Sequence, residues 1–192
     1  MILASKSPRR KEILENIGFN LEIKSKNIEE ISDEEDVIEK IKDIAYKKTE
    51  EVAKENPKAF VVGADTIVEV DGEILGKPKN EEEAYKFLTK LSGRSHNVIT
   101  AYSLINKEKN ISIKEYSSTK VYFRKLDDEM IKWYIQSKEP MDKAGAYGIQ
   151  EKGSVFVEKI EGDFFTVMGF PIEKFIKSLE KIGISLKDIG KI

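Results

Sequence analysis

The spacing of apolar positions changes several times along the chain, and each change marks an element. Residues 2–5 are a short apolar run that predicts a strand, and 8–17 predict a helix closed by Gly18. A second strand is expected over 20–25, followed by an acidic loop through Glu35. From 36 to 55 the apolar residues Val37, Ile41, Ile44, Ala45 and Val52 recur at helical spacing, which predicts a long amphipathic helix. Residues 60–70 form a nearly continuous apolar run, the pattern of a buried strand, and Asp71-Gly72 is a two-residue hairpin signal leading into 73–76. Asn80, with Glu83 three residues on, resembles a capping box, and Ala84, Phe87, Leu88 and Leu91 give the helix behind it an inner stripe.

Two more strands are predicted over 97–106 and 111–124, with a turn near Lys109-Asn110, and a helix over 127–136 carries Ile131, Tyr134 and Ile135 inward. A glycine-containing loop leads to a strand at 154–160, and Pro171 opens a last helix with Ile172, Phe175, Ile176 and Leu179 on one side. Strands interleaved with helices and hairpins predict an α/β fold with a mixed sheet. There is no repeat, low-complexity tract or Pro/Gly/Ser linker, so residues 1–192 are expected to form a single domain.

Composition narrows the chemistry. The chain has no cysteine and one histidine, His96, which removes disulfides, thiolate metal sites and multi-histidine centres. His96 is expected to be a hydrogen-bonded structural residue. Charged residues make up 35% of the chain but nearly cancel, to a net −2. That balance argues against nucleic-acid binding, which calls for a basic excess. Any anionic ligand must be held by a local cluster of cations. No apolar run approaches the about 20 residues needed to cross a bilayer, and the opening Met1-Ile2-Leu3-Ala4 is too short for a signal peptide. With a mean hydropathy of −0.44, a soluble, cytoplasmic protein with no membrane partner is expected.

Candidate chemistry lies where local rules are broken. Ser7 and Pro8 suit the start of a helix, yet Arg9 and Arg10 follow, placing cations where the helix dipole is already positive. With the hydroxyls of Ser5 and Ser7 beside them, the pair makes sense around a phosphate; the alternative is two solvated arginines. Asp65 sits inside an apolar strand, where a carboxylate is costly unless paired or metal-bound. It reads as a metal ligand or general base, against a carboxylate satisfied by backbone or a nearby lysine. Lys48 falls on the apolar stripe of the long helix, either snorkelling at its edge or reaching a buried anion. Two glycine-bounded lysines, in Gly76-Lys77-Pro78 and Asp142-Lys143-Ala144-Gly145, match neither a Walker loop nor a dinucleotide fingerprint.

Taken together these segments resemble the Maf family of nucleoside triphosphate pyrophosphatases. The matching blocks run in family order: Ala4-Ser5-Lys6-Ser7-Pro8-Arg9-Arg10, Gly63-Ala64-Asp65-Thr66, Leu75-Gly76-Lys77-Pro78, Leu91-Ser92-Gly93-Arg94 with His96, and Glu139-Pro140 with Asp142-Lys143-Ala144-Gly145-Ala146-Tyr147-Gly148-Ile149-Gln150. The resemblance implies an inosine triphosphatase-like fold, with a mixed twisted sheet flanked by helices in an elongated, two-lobed protomer around a central cleft, and a homodimer. It implies a divalent metal, Mg²⁺ or Mn²⁺, and hydrolysis between the α and β phosphates to nucleoside monophosphate and pyrophosphate.

By position, Asp65 resembles the family's catalytic acid and Glu30 the second acid, with Glu29 an alternative in that variable loop; both acids are implied metal ligands. Ser5, Arg10, Lys48, Lys77 and Lys143 resemble the substrate-contacting set, and Arg9, Thr66 and Gln150 the base-selectivity positions. Arginine after Pro8 is similar to the branch acting on dTTP and UTP, with modified pyrimidine nucleotides also in range. Departures fall at Met141, at Asp163-Phe164-Phe165-Thr166 and at Thr49. The rival readings are a nucleotide-binding regulator of division or septum formation without turnover, and a triphosphatase of another specificity, such as one acting on inosine triphosphate.

Overall fold

The computed structural model describes residues 1–192. Seven strands form one mixed sheet: β1 (Ile2–Leu3), β2 (Glu22–Ile23), β3 (Val61–Val70), β4 (Glu73–Leu75), β5 (Ser95–Asn106), β6 (Ile111–Phe123) and β7 (Val157–Glu161). Six helices flank it: α1 (Pro8–Asn16), α2 (Val37–Glu55), α3 (Glu81–Leu91), α4 (Asp128–Gln136), α5 (Phe164–Met168) and α6 (Ile172–Lys181). The strand order is β2-β1-β3-β5-β6-β7, with β4 paired to β3. β1 runs parallel to both β2 and β3, whereas β3–β4 and β6–β7 are antiparallel. No helix is long and apolar enough to cross a membrane.

The chain divides into two compact units, one of residues 1–65, 100–117 and 169–192, the other of 66–99 and 118–168. In the first, Ile2, Ala4, Val52, Ala53, Val61 and Ile105 pack together, joining β1, α2, β3 and β5. The ladder between β1 and β3 is continued by Ile2 N donating to Phe60 O and Ala4 N donating to Val62 O. In the second, Val68, Leu75, Leu88, Leu91, Tyr134 and Phe156 belong to a larger apolar cluster that draws on β3, β4, β5, β6, α3, α4 and the segment just before β7.

Elements with strong local signals form where expected. Asp71 (φ 54°) and Gly72 (φ 78°) both take the left-handed conformation that a tight hairpin requires, and Arg94 clamps both carboxylate oxygens of Asp71. Asn80 caps α3 by accepting from Glu83 N at 2.9 Å. The return half of the box differs: Glu83 accepts from Lys79 N rather than from the cap residue's own N–H. Ala84, Leu88 and Leu91 are buried as predicted, and Phe87 packs at the edge of the cluster.

Two expectations shift. Residues 154–156, read as the start of a strand, lie in a 3-10 segment over Glu151–Phe156, so β7 begins only at Val157. The loop before it is a succession of 3-10 turns, Glu139–Asp142 and Ala144–Ala146, forced by left-handed backbone at Lys138, Gly145, Ala146 and Glu151. The short α5 was unanticipated. It is capped by Asp163, whose carboxylate accepts from Phe165 N (3.2 Å), Thr166 N (2.7 Å) and Thr166 Oγ1 (2.7 Å). The departure at Asp163–Thr166 thus has a structural use: it starts a helix.

Candidate active site

The first unit holds six of the predicted site residues. Ser5 follows β1, next to Ala4, whose N–H donates to Val62 O, and it is almost fully buried. Ser5 Oγ accepts from Ser7 N (3.2 Å) and from Arg10 Nη1 (3.2 Å). With both lone pairs engaged, the hydroxyl's remaining capacity is its own O–H.

Ser7 caps α1 and Pro8 is its first residue, as predicted. Arg10 is not a solvated surface arginine. Its Nε donates to Gly169 O (2.9 Å), which fixes one edge of the guanidinium. Burial pulls its pKa below the ordinary arginine value, Asp65 and Glu30 act to raise it, and Arg9 acts to lower it. Arg9 and Arg10 therefore feel each other, and the two acids are near enough to offset part of the cost.

Asp65 and Lys48 meet: the lysine reaches a largely buried anion, and the acid is satisfied by a nearby lysine, the alternative reading of its place in the strand. Lys48, on the inner side of α2, donates from Nζ to Asp65 Oδ1 at 2.5 Å, and the two side chains are 17% and 13% exposed. The same ammonium lies 2.7 Å from Glu30 Oε1. One lysine thus bridges the two acids, and Glu30 rather than Glu29 is the acid brought to Asp65. The loop carrying Glu30 is tied to α2 by Lys47 Nζ, which donates to Ile31 O at 3.0 Å, and Lys47 in turn pairs with Asp43 at 2.7 Å.

β3 is held close to α2 by Gly63: a Cβ there would come within 2.4 Å of Thr49 Oγ1. The departure at Thr49 is fully buried and satisfied, donating to Ala45 O at 2.7 Å. Lys48 immediately precedes Thr49 on α2, and Asp65 lies two residues after Gly63 on β3, so the close approach at Gly63 sits beside the Lys48–Asp65 pair.

The second unit holds Thr66, Lys77, Lys143 and Gln150. Thr66 follows Asp65 on β3 and is half-buried. Lys77 is exposed. Its neighbour Gly76 accepts from Gly145 N at 3.0 Å, which ties the segments of Lys77 and Lys143 together. Lys143 is buried, a surprise for a lysine in a turn; its Nζ donates to Glu139 O (2.8 Å) and Asp142 Oδ1 (2.8 Å). Gln150 precedes the 3-10 segment Glu151–Phe156 and is half-buried.

Sequence reasoning missed Glu139 and Tyr134, which organise this loop. Tyr134 donates to Glu139 Oε1 (2.9 Å) and accepts from Gly148 N (3.1 Å). The signal available was Glu139 immediately before Pro140 in the same block as Lys143. His96 is structural, as expected: Nε2 lies 2.7 Å from Tyr147 Oη, and the ring packs edge-on to Phe123 and Tyr147.

A family model described as Maf-like protein matches residues 1–182 of this chain. The chain belongs to the Maf family. Its similarity to curated Maf relatives spans nearly the whole length. A dTTP/UTP pyrophosphatase of Fusobacterium nucleatum is 56% identical over 192 residues, covering 100% of both chains. One of Alkaliphilus oremlandii is 52% identical over 176 residues, covering 91% of each. A solved chain of the Staphylococcus aureus Ham1 protein superposes with a TM-score of 0.48 at 19% identity, over 64% of this chain and 70% of that one. Within the Maf match lie all the residues singled out above, from Ser5 to Gln150.

Proposed function

We propose that this chain hydrolyses nucleoside triphosphates, dTTP and UTP first among them, between the α and β phosphates, releasing nucleoside monophosphate and pyrophosphate. Two observations support the reading. A relative named dTTP/UTP pyrophosphatase is 56% identical over the full length. Asp65, Lys48 and Glu30 converge at hydrogen-bond distance beside a half-buried arginine, and it is this convergence that carries the chemistry.

A nucleoside triphosphate brings about four negative charges, and phosphoryl transfer is catalysed mainly by positioning and charge neutralisation. Arg10, fixed by Gly169 O and Ser5, and Lys48 supply positive charge in the first unit. Lys77 and Lys143 supply it in the second. Arg9, Thr66 and Gln150 are proposed to choose the base.

Two carboxylates joined by one ammonium suit a hard divalent cation, because Mg²⁺ is commonly held by one or two carboxylates plus substrate phosphates rather than by a full protein cage. Asp65 and Glu30 are the residues that would hold Mg²⁺ or Mn²⁺. A bound metal would lower the pKa of an attacking water and neutralise developing charge. Asp65, the more buried of the two acids, would take the proton of the attacking water, and Lys48 would lend its positive charge to the phosphate. A homodimer and a cytoplasmic setting belong to the same proposal.

Retention of the acids distinguishes an enzyme from a nucleotide-binding regulator: a binder needs the cations but has little use for a carboxylate in the apolar β3. Pyrophosphate release measured with dTTP, UTP, inosine triphosphate and the common purine nucleotides, with and without Mn²⁺, tests the reading. Metal-dependent release favouring dTTP and UTP is the expected outcome. Binding without release, or preference for inosine triphosphate, would sink it.

A further inference from the structure

We propose that Glu139 is a positioning residue for Lys143, holding the ammonium and both sides of its loop in the geometry that receives the triphosphate. The inference rests on the reading of Lys143 as a phosphate contact. One residue acts here through two groups. Its backbone oxygen accepts from Lys143 Nζ at 2.8 Å. Its carboxylate takes the Tyr134 hydroxyl on Oε1 at 2.9 Å, and the amides of Gly153 at 3.2 Å and Lys152 at 3.3 Å.

Tyr134 extends the network. It is fully buried, and burial raises its pKa, so the phenol stays protonated and donates to Glu139 while accepting from Gly148 N. Gly148 is the wall against which the lysine stem lies: a Cβ there would come within 2.8 Å of Lys143 Cε and 3.0 Å of Cδ. Glu139 therefore sets the ammonium directly and the wall beside its stem through Tyr134.

The chemistry of the side chain makes this specific. A lysine has a long, rotatable stem, and fixing it before substrate arrives removes an entropic cost from binding. Three donors converge on the Glu139 carboxylate, and a glutamine would turn an NH₂ toward one of them, leaving two donors face to face. A carboxylate that merely stabilised the loop would matter to melting temperature and act independently of Lys143. A positioning residue has its effect through Lys143.

The experiment is a double-mutant cycle in the full chain with Glu139→Gln, Lys143→Met and their combination, measuring KM and kcat for dTTP with Mn²⁺ and the melting temperature of each. Glu139→Gln is expected to raise KM about tenfold, comparable to losing one charge-assisted hydrogen bond, with kcat within about twofold. In the Lys143→Met background it should add less than about twofold, because coupled residues are non-additive. Tyr134→Phe, which keeps the ring and removes the hydroxyl, should show the same dependence on Lys143 and serves if Glu139→Gln fails to fold. Fully multiplicative effects, or a lowered melting temperature with KM unchanged, overturn the proposal. If Lys143→Met alone leaves KM unchanged, the phosphate contact fails and the inference with it. If Lys143→Met impairs binding and neither Glu139→Gln nor Tyr134→Phe does, only the inference fails.

Discussion

Acid should destabilise the second unit through a single imidazole. His96 is 2% exposed, and burial pushes its pKa down to about 4 from the usual 6.5. Its Nδ1 has no hydrogen-bond partner, so a proton added there would sit in an apolar pocket between Phe123 and Tyr147 with nothing to receive it. The unfolded chain takes up a proton near the usual value while the folded chain resists until about 4. The unfolded state thus binds more protons between about pH 6.5 and about pH 4, and stability falls as pH drops through that window. The full gap corresponds to about 3 kcal/mol, at 1.36 kcal/mol per pKa unit, and about 1.2 kcal/mol of it is lost between pH 7 and about pH 5.5. Urea unfolding of the native chain and of His96→Leu, at the two pH values, isolates the effect. Leucine keeps apolar volume between the rings and removes the titrating group, and the unpaired Tyr147 hydroxyl adds an offset that does not vary with pH. Carboxylates titrate in both proteins and cancel in the difference. The native chain should lose about 1.2 kcal/mol more than the variant. Parallel pH profiles would refute the reasoning.

Two other perturbations test the packing and the charge arrangement. Gly145→Ala places a Cβ 2.7 Å from Val68 Cγ2 on a backbone with φ 66°, so a loss of about 2–4 kcal/mol is expected from overpacking plus left-handed strain. Urea unfolding checks it, and a loss below about 1 kcal/mol would show that the loop yields there. Lys48→Met removes the ammonium from between Asp65 and Glu30; nucleotide affinity should fall about tenfold, the equivalent of 1.4 kcal/mol, while nucleotide-free Mn²⁺ binding tightens. Calorimetry reads both, and weaker Mn²⁺ binding in the variant would contradict the bridging role.

Much of the fold was legible because its signals are local. The left-handed pair Asp71-Gly72, the Asn80 cap and the stripe of α2 each encode their element within a few residues. The loop 139–156 was not, because its turns depend on positive φ at Ala146 and Glu151, residues that show no preference for it in isolation. The same contrast holds for the candidate site. Asp65 and Lys48 stood out because each breaks an apolar pattern, and they prove to be partners. That the same ammonium also reaches Glu30 depends on how the acidic loop is tied down by Lys47 and Ile31, a tertiary fact with no local trace. Glu139 stood in a matching block but was given no role, because a glutamate before proline is ordinary in any turn. Only the four hydrogen bonds it accepts set it apart.

The carboxylate on β3 is the point on which the catalytic account turns. Asp65→Asn keeps the shape of the side chain and an oxygen that can still accept from Lys48, but it gives up the negative charge and the proton-accepting role. Pyrophosphate release from dTTP with Mn²⁺ should fall at least ~10²-fold, a loss typical of removed acid–base catalysis, with the circular dichroism spectrum unchanged. Turnover near that of the native chain in a folded Asp65→Asn variant would contradict the account.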